Sequence, residues 1–307
     1  MKKRVVENTL FLGNGFSRSV FQDMPSWGDL FDGVNKSTDN YTILYEISRL
    51  SDGNRGRDET AVKEDLIQRI KATFSEKSIR RDIRGLEEFG VLLQRNNISN
   101  IITTNYDNGI ECILYNKCGY REWTQKSMTP ERVYSIRTYK ILYNDDTGHS
   151  VKLWKIHGDF ERIKSVTLGY DQYCGALSRL INYVKGNYKS SQSENRIECK
   201  IAMKEKCLNQ NFDNISWVEL FFRTNLYIVG FGLEFSEIDI WWLINKRARY
   251  MLEVPTLNNT ITYVYNEQYE NEEKKPAIFS SLRAFDVRLK PVNADANYIS
   301  NIFKCID

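Results

Sequence analysis

Only two histidines occur in this chain of 307 residues, and one of them, His157, closes the mainly apolar run Leu153-Trp154-Lys155-Ile156, just before Gly158. Imidazole is the side chain best suited to move a proton near neutral pH. A histidine so placed can equally be a hydrogen-bonded strand end. Three further segments share the design of an apolar run followed by small or polar residues. Thr9-Leu10-Phe11-Leu12 leads into Gly13-Asn14-Gly15-Phe16-Ser17. Ile101-Ile102 leads into Thr103-Thr104-Asn105-Tyr106-Asp107. Leu226-Tyr227-Ile228-Val229 leads into Gly230-Phe231-Gly232, with Asp239 a little further on.

Each segment has a chemical and a plain structural reading. Glycines at 13 and 15 let the backbone turn tightly and approach phosphate oxygens, with the N–H groups of a following helix facing the anion. Ser17 adds a hydroxyl donor. A simple strand-to-helix turn uses the same glycines. Arg18 stands where the dehydrogenase fingerprint wants a third glycine, so hydride transfer fits poorly. Asn105 offers a donor and an acceptor to a ribose hydroxyl, a carboxamide or a water, and Asp107 can orient such a group. Alternatively Asp107 caps the next helix and Asn105 satisfies turn backbone. Gly230-Phe231-Gly232 lets a second piece of backbone approach a nucleotide, or simply turns. His149, in the polar turn Asp145-Asp146-Thr147-Gly148-His149, is given no functional role.

Such segments do chemistry together only if strands bring their ends to one edge. The pattern predicts strands at 9–13, 98–103, 133–142, 151–156, 226–229, 261–265 and 287–289. Helices are expected from Asp29, along a face of Val62, Leu66, Ile70 and Phe74, through Leu86, Phe89, Val91 and Leu92, beyond Asp107 to Ile113, and through Trp241 and Trp242, which read as packing residues. Residues 172–222 read as mainly helical with a polar break at 189–195, and 51–57 as a surface loop. This alternation predicts an α/β fold, a Rossmann-like parallel sheet flanked by helices, whose ligands bind at the carboxyl ends of the strands. No linker or repeat divides the chain, so residues 1–307 are expected to form one domain with helical insertions near 40–95 and 172–222.

Composition narrows the partners. With 41% hydrophobic residues the chain can bury a sizeable core, and 43 basic against 40 acidic residues leave a net charge of only +3. That balance disfavours nucleic acid as a direct ligand. The basic stretch 77–84, interrupted by Asp82 and preceded by Glu76, reads as a solvated surface. No stretch spans a membrane, and Glu7 and Asn8 break any signal-peptide core, so a cytoplasmic location is expected. Six scattered cysteines without a C-x-x-C pair imply reduced thiols and no metal.

The four segments, in this order, resemble those of the sirtuin superfamily, and more closely its bacterial sirtuin-like branch. Gly13-Asn14-Gly15-Phe16-Ser17 is similar to the family's first glycine loop, Thr104-Asn105-Tyr106-Asp107 to its Thr/Gln-Asn-x-Asp motif, and His157-Gly158 to its catalytic His-Gly pair. Gly230-Phe231-Gly232 with Asp239 is similar to the late nucleotide motif, and Pro25-Ser26-Trp27 to a Pro-Ser-Trp segment of the branch. The departures also inform. The four-cysteine zinc ribbon of deacetylating sirtuins is missing, Pro25-Ser26-Trp27-Gly28 replaces their Pro-Asp-Phe-Arg segment, and Gly232 stands where a serine is usual.

The resemblance therefore implies an NAD⁺ glycohydrolase of the kind used in bacterial anti-phage defence, rather than a protein deacetylase. It implies Asn105, His157 and Asp107 as catalytic residues. It implies Gly13, Asn14, Gly15, Ser17, Thr104, Gly230, Phe231, Gly232 and Asp239 as nucleotide-binding residues. NAD is then the substrate and no metal is needed. A homo-oligomer and a separate activating protein are the expected partners. Two other classes stay open: a catalytically silent sensor of NAD or ADP-ribose, and an ADP-ribosyltransferase.

Overall fold

The computed structural model describes residues 7–26, 79–123, 136–189 and 197–306, with Ala61, Glu64, Ile67, Gln68, Lys71 and Ala72 between them. Those isolated positions are helical. Trp27, Gly28, the helix from Asp29, the loop 51–57, and Val62, Leu66, Ile70 and Phe74 lie outside the described residues, as do 133–135 and 190–196.

The first half of the chain runs β1 (Asn8–Leu12), α1 (Asn14–Val20), α2 (Phe89–Arg95), β2 (Ile98–Thr103), α3 (Gly109–Cys118), β3 (Tyr120–Glu122), β4 (Lys140–Asn144) and β5 (Ser150–Lys155). Then follow α4 (Tyr170–Val184), β6 (Tyr188–Lys189), β7 (Glu198–Cys199), α5 (Met203–Asn209) and α6 (Leu220–Arg223). The last stretch holds β8 (Asn225–Val229), α7 (Ile238–Met251), β9 (Ile261–Asn266), α8 (Pro276–Ala284), β10 (Val287–Val292) and α9 (Tyr298–Phe303).

Eight strands form one sheet in the order β10-β9-β8-β1-β2-β5-β4-β3. The pairs from β10 to β5 are parallel; β4 and β3 add an antiparallel edge. The result is a Rossmann-like α/β fold. Its strands carry consecutive apolar residues because both faces are covered. Phe11, Ile102, Trp154 and Ile228 pack on one face with α4, α5, α6, α7 and α8. Leu10, Leu12, Ile101, Leu153 and Val229 pack on the other with α1, α2, α3 and α9. Each fully buried Leu, Ile or Phe stabilises the fold by roughly 1.5–3 kcal/mol relative to exposure.

Chain order sets the site. From β1 the chain moves to β2 and β5 on one side, then returns to β8 on the other side of β1. That reversal opens a crevice at the carboxyl ends of β1 and β8, where doubly wound sheets bind ligands.

One sequence expectation is corrected and a second is refined. The strand expected at 133–142 starts at Lys140 and runs on to Asn144. Ile136 is not in it, because its carbonyl accepts from Trp217 N and Ser216 Oγ instead of a neighbouring strand. Residues 172–222 are not only helical: β6 and β7 pair there, with Tyr188 buried against Tyr183 at 5.6 Å between rings. No helix among the described residues is long and apolar enough to cross a membrane.

Candidate functional site

The loops after β1 and β8 are built into each other. Gly13 N donates to Val229 O at 3.0 Å and Gly15 N to Gly230 O at 2.7 Å. Gly230 has φ +60°, and a Cβ there would lie 2.2 Å from Phe16 N. One on Gly13 would lie 2.6 Å from Gly230 O. These glycines are therefore required by backbone-to-backbone contact between two loops. The amides of 13, 15 and 16 are committed to protein carbonyls, Phe16 N donating to Gly13 O at 3.1 Å. Phe231 stacks on Phe11 with ring centroids 4.9 Å apart. Gly232 differs: the nearest atom to an added Cβ is Lys275 Nζ at 3.5 Å, an ordinary van der Waals contact, so a side chain fits there.

The loop after β2 joins the same assembly. Thr103 Oγ1 donates to Leu12 O at 2.7 Å and accepts from Asn105 N at 3.0 Å. Asn105 is buried, and its Nδ2 donates to Ser17 Oγ at 3.1 Å. Its Oδ1 is buried with no hydrogen-bond partner among the described residues. The same holds for Asn14 Oδ1, although Asn14 Nδ2 donates to Pro25 O at 3.1 Å. Buried acceptors left this way are costly, roughly 1–3 kcal/mol each, and ask for a ligand that brings donors. Asp107 is half-buried and its Oδ1 accepts from Gly109 N at 2.7 Å, at the start of α3. Burial pushes its carboxyl pKa up, against that hydrogen bond and the charge of Lys155.

His157 follows β5 and is 2% exposed. Its backbone is fixed from both sides. His157 O accepts from Thr167 N at 2.6 Å, and Gly158, at φ +108°, packs where a Cβ would meet Ser165 O at 2.4 Å. Lys155, two residues earlier, pairs with Glu111 at 2.9 Å and Asp159 at 3.3 Å, tying the end of β5 to α3. The imidazole Nε2 lies 2.9 Å from Asp239 Oδ2, and Nδ1 lies 3.7 Å from Glu237 Oε2. The Tyr173 ring stands edge-on to it at 5.2 Å. Burial disfavours the charged imidazole, but the charge and hydrogen bond of Asp239, with the charge of Glu237, leave its pKa above the ordinary value. Ligand atoms of His157, Glu237 and Asp239 lie within 4.8 Å of one another, a span a cation can bridge. The direct His157–Asp239 hydrogen bond already engages two of those atoms.

These loops line a cleft of ≈ 1310 Å³. Asn14, Gly15, Thr104, His157, Gly230, Phe231 and Gly232 are in its wall. Gly13, Ser17, Asn105, Asp107 and Asp239 are not among its wall residues, although Asn105 stands between Thr104 and Tyr106, which are. Arg18, Arg80 and Arg81 also line it, with Arg80 paired to Asp82 at 2.6 Å. In the same lining Lys275 Nζ holds Glu234 at 2.8 Å, Glu270 at 3.1 Å and the Gly232 carbonyl at 3.1 Å.

Sequence reasoning left out wall residues, among them Arg18, Arg80, Arg81, Tyr173 and Glu237. The basic stretch 77–84 read as plain surface, yet Arg80 and Arg81 reach the cleft. Arg18 was noted only as a missing glycine. Glu237 had no legible signal of its own: it caps the start of α7 in a non-helical conformation, two positions before Asp239, a spacing that does not put two residues on one helix face. Tyr173 had none, because nothing local tells an aromatic on a buried helix face from one at a cleft.

A parallel sheet with a switch-point cleft, two interlocked glycine loops and a braced histidine defines a nucleotide-binding module of the Rossmann-like class. Residues 99–274 match the SIR2-like domain, and the chain belongs to this sirtuin-like family, which implies that it binds or uses NAD. No curated protein matches it.

Proposed function

We infer that the protein is an NAD⁺ glycohydrolase, cleaving the nicotinamide–ribose bond to give nicotinamide and ADP-ribose. The observation that carries this reading is the buried, carboxylate-held His157 facing a cleft in a SIR2-like chain. Breaking the bond releases a neutral leaving group and puts positive charge on the sugar. The protein has to position the ribose and guide water to C1′. His157 accepts a proton from that water or from a ribose hydroxyl, a contribution typically of ~10²–10⁴-fold.

The two unpartnered oxygens, Asn105 Oδ1 and Asn14 Oδ1, suit ribose hydroxyls or a carboxamide NH₂, which are donors; phosphate oxygens are not. The pyrophosphate is met by Arg18 and Arg81, which line the same cleft as Gly15. Asp107 acts through the turn that carries Asn105, and Ser17 through its bond to Asn105. Gly230, Phe231 and Gly232 give the nucleotide a close backbone wall. Asp239 braces His157. The anti-phage role, a homo-oligomer and a separate activator belong to this reading through the family resemblance.

The test is incubation of purified protein with NAD⁺, with chromatography for nicotinamide and ADP-ribose, beside His157→Ala. Equal release of both products by the wild type alone is expected. Adenine-tagged label appearing on a macromolecule would favour a transferase, and tight binding without consumption a sensor.

A further inference from the structure

Both ring nitrogens of His157 face carboxylates, and only one of those carboxylates reaches the cleft. Asp239 is 1% exposed and takes Nε2 at 2.9 Å, while its Oδ1 accepts from Ile240 N at 2.9 Å. Both of its oxygens are engaged, so it is a fixed brace. Glu237 lines the cleft. Its Oε2 lies 3.7 Å from His157 Nδ1, too far for a direct hydrogen bond. The Tyr173 hydroxyl donates to the same oxygen at 3.4 Å. Two polar atoms at that separation can both reach one oxygen placed about 2.8 Å from each.

We propose that Glu237 and His157 Nδ1 form a single proton-accepting pair that holds the attacking water, with Asp239 as the brace behind the ring. This rests on the hydrolase reading above. In the step, the C1′–N bond breaks and its electron pair leaves with neutral nicotinamide. The water oxygen bonds to C1′, and one water proton passes to the pair and from there to solvent. Glu237 is thus a catalytic residue, because it touches the reacting water.

The surroundings make sharing feasible. Glu237 faces His157 at the end of β5, Asp239 on its own helix, Tyr173 on α4, Tyr106 after β2 and Glu234 on the loop after β8. Burial first, then the charges of Asp239 and Glu234, push the Glu237 carboxyl up to about 7, against the pull of His157 and the Tyr173 hydroxyl. His157 moves upward as well. Two groups this close, each pushed toward holding a proton, exchange protons as a unit.

The chain has two histidines, so imidazole NMR resolves His157 beside His149, which bonds the Tyr120 hydroxyl at 2.6 Å. The experiment compares wild type, Glu237→Gln and Glu237→Asp by imidazole titration, nicotinamide release and thermal melting. Glu237→Gln should melt cooperatively and lower the His157 midpoint while leaving that of His149 in place. It should cut kcat by about 10²-fold with KM within about three-fold, and Glu237→Asp should recover part of kcat. An unmoved His157 midpoint, or an unmoved kcat in an active wild-type background, overturns the proposal. If the wild type releases no nicotinamide even with candidate activating proteins added, the hydrolase reading falls, and the His157 midpoint alone decides whether the two groups share a proton.

Discussion

Gly15 and Gly230 meet backbone to backbone, the amide of the first donating to the carbonyl of the second at 2.7 Å. The contact welds the loop after β1 to the loop after β8 across the switch point of the sheet. It explains why glycines recur in both motifs without requiring either to touch a phosphate. Gly230→Ala must place a Cβ 2.2 Å from Phe16 N at φ +60°. It should destabilise the fold by on the order of 2–4 kcal/mol, from left-handed backbone plus overpacking. Gly232→Ser, which restores the residue usual in the family, meets nothing closer than 3.5 Å. It should change stability by less than about 0.5 kcal/mol. Urea denaturation of both variants checks the contrast, and equal losses would refute the interlock.

Asn105 and Asp107 share a motif but should separate by experiment. Asn105 keeps a buried oxygen with no partner among the described residues, whereas Asp107 Oδ1 holds Gly109 N at 2.7 Å. Asn105→Ala should abolish most nicotinamide release and the NAD⁺-induced rise in Tm. Asp107→Ala should lower stability by ~1 kcal/mol, as loss of a helix-start acceptor does, while keeping more turnover than Asn105→Ala. The reverse ranking would move the ligand contact to Asp107.

Much of this was legible in the residues. Ile98–Thr103 was readable to the residue, because a double-faced apolar run ends at polar Thr104-Asn105. The four segments do meet at one edge. Pairing partners were not legible: nothing in Gly13-Asn14-Gly15 names Gly230 as its neighbour, since that contact depends on strand order. The short strands β6 and β7 were missed for a similar reason, as two residues carry no period. Asp239 was visible as a motif residue, but its role behind His157 needed the geometry.

Away from the cleft, Lys206 tests how the helical flank is held. Its side chain is fully buried and pairs with Glu219 at 2.9 Å, also fully buried, and with Asp213 at 2.5 Å. The Tyr183 hydroxyl donates to the same Glu219 at 2.8 Å. Removing one partner of a buried pair leaves an uncompensated charge and costs about 3–5 kcal/mol. Lys206→Ala should lose that much, and Lys206→Ala with Glu219→Gln should lose less. Chemical denaturation of the single and double variants decides it; a double variant weaker than the single would mean that Glu219 is held by its other partners.

The site should also print a pH dependence on stability. Glu237 rises from an ordinary 4.5 to about 7, chiefly through burial, and His157 rises above its ordinary 6.5. A group whose folded pKa is raised binds more protons in the folded state than in the unfolded one over the interval between the two values. Its contribution is fully present below the unfolded value and is lost as pH climbs through the folded one. For Glu237 that window runs from pH 4.5 to about 7, and His157 extends the decline upward. Asp159 opposes this at low pH: despite its burial, Lys155 and Lys140 hold its carboxyl below the ordinary range, so its contribution is lost on acidification. The comparison must therefore be between variants. Tm recorded across this range should fall less steeply with rising pH in Glu237→Gln than in the wild type, because glutamine cannot titrate. A steeper fall in the variant would mean that the Glu237 carboxyl is held ionised in the folded protein and that its proton lies on His157 throughout.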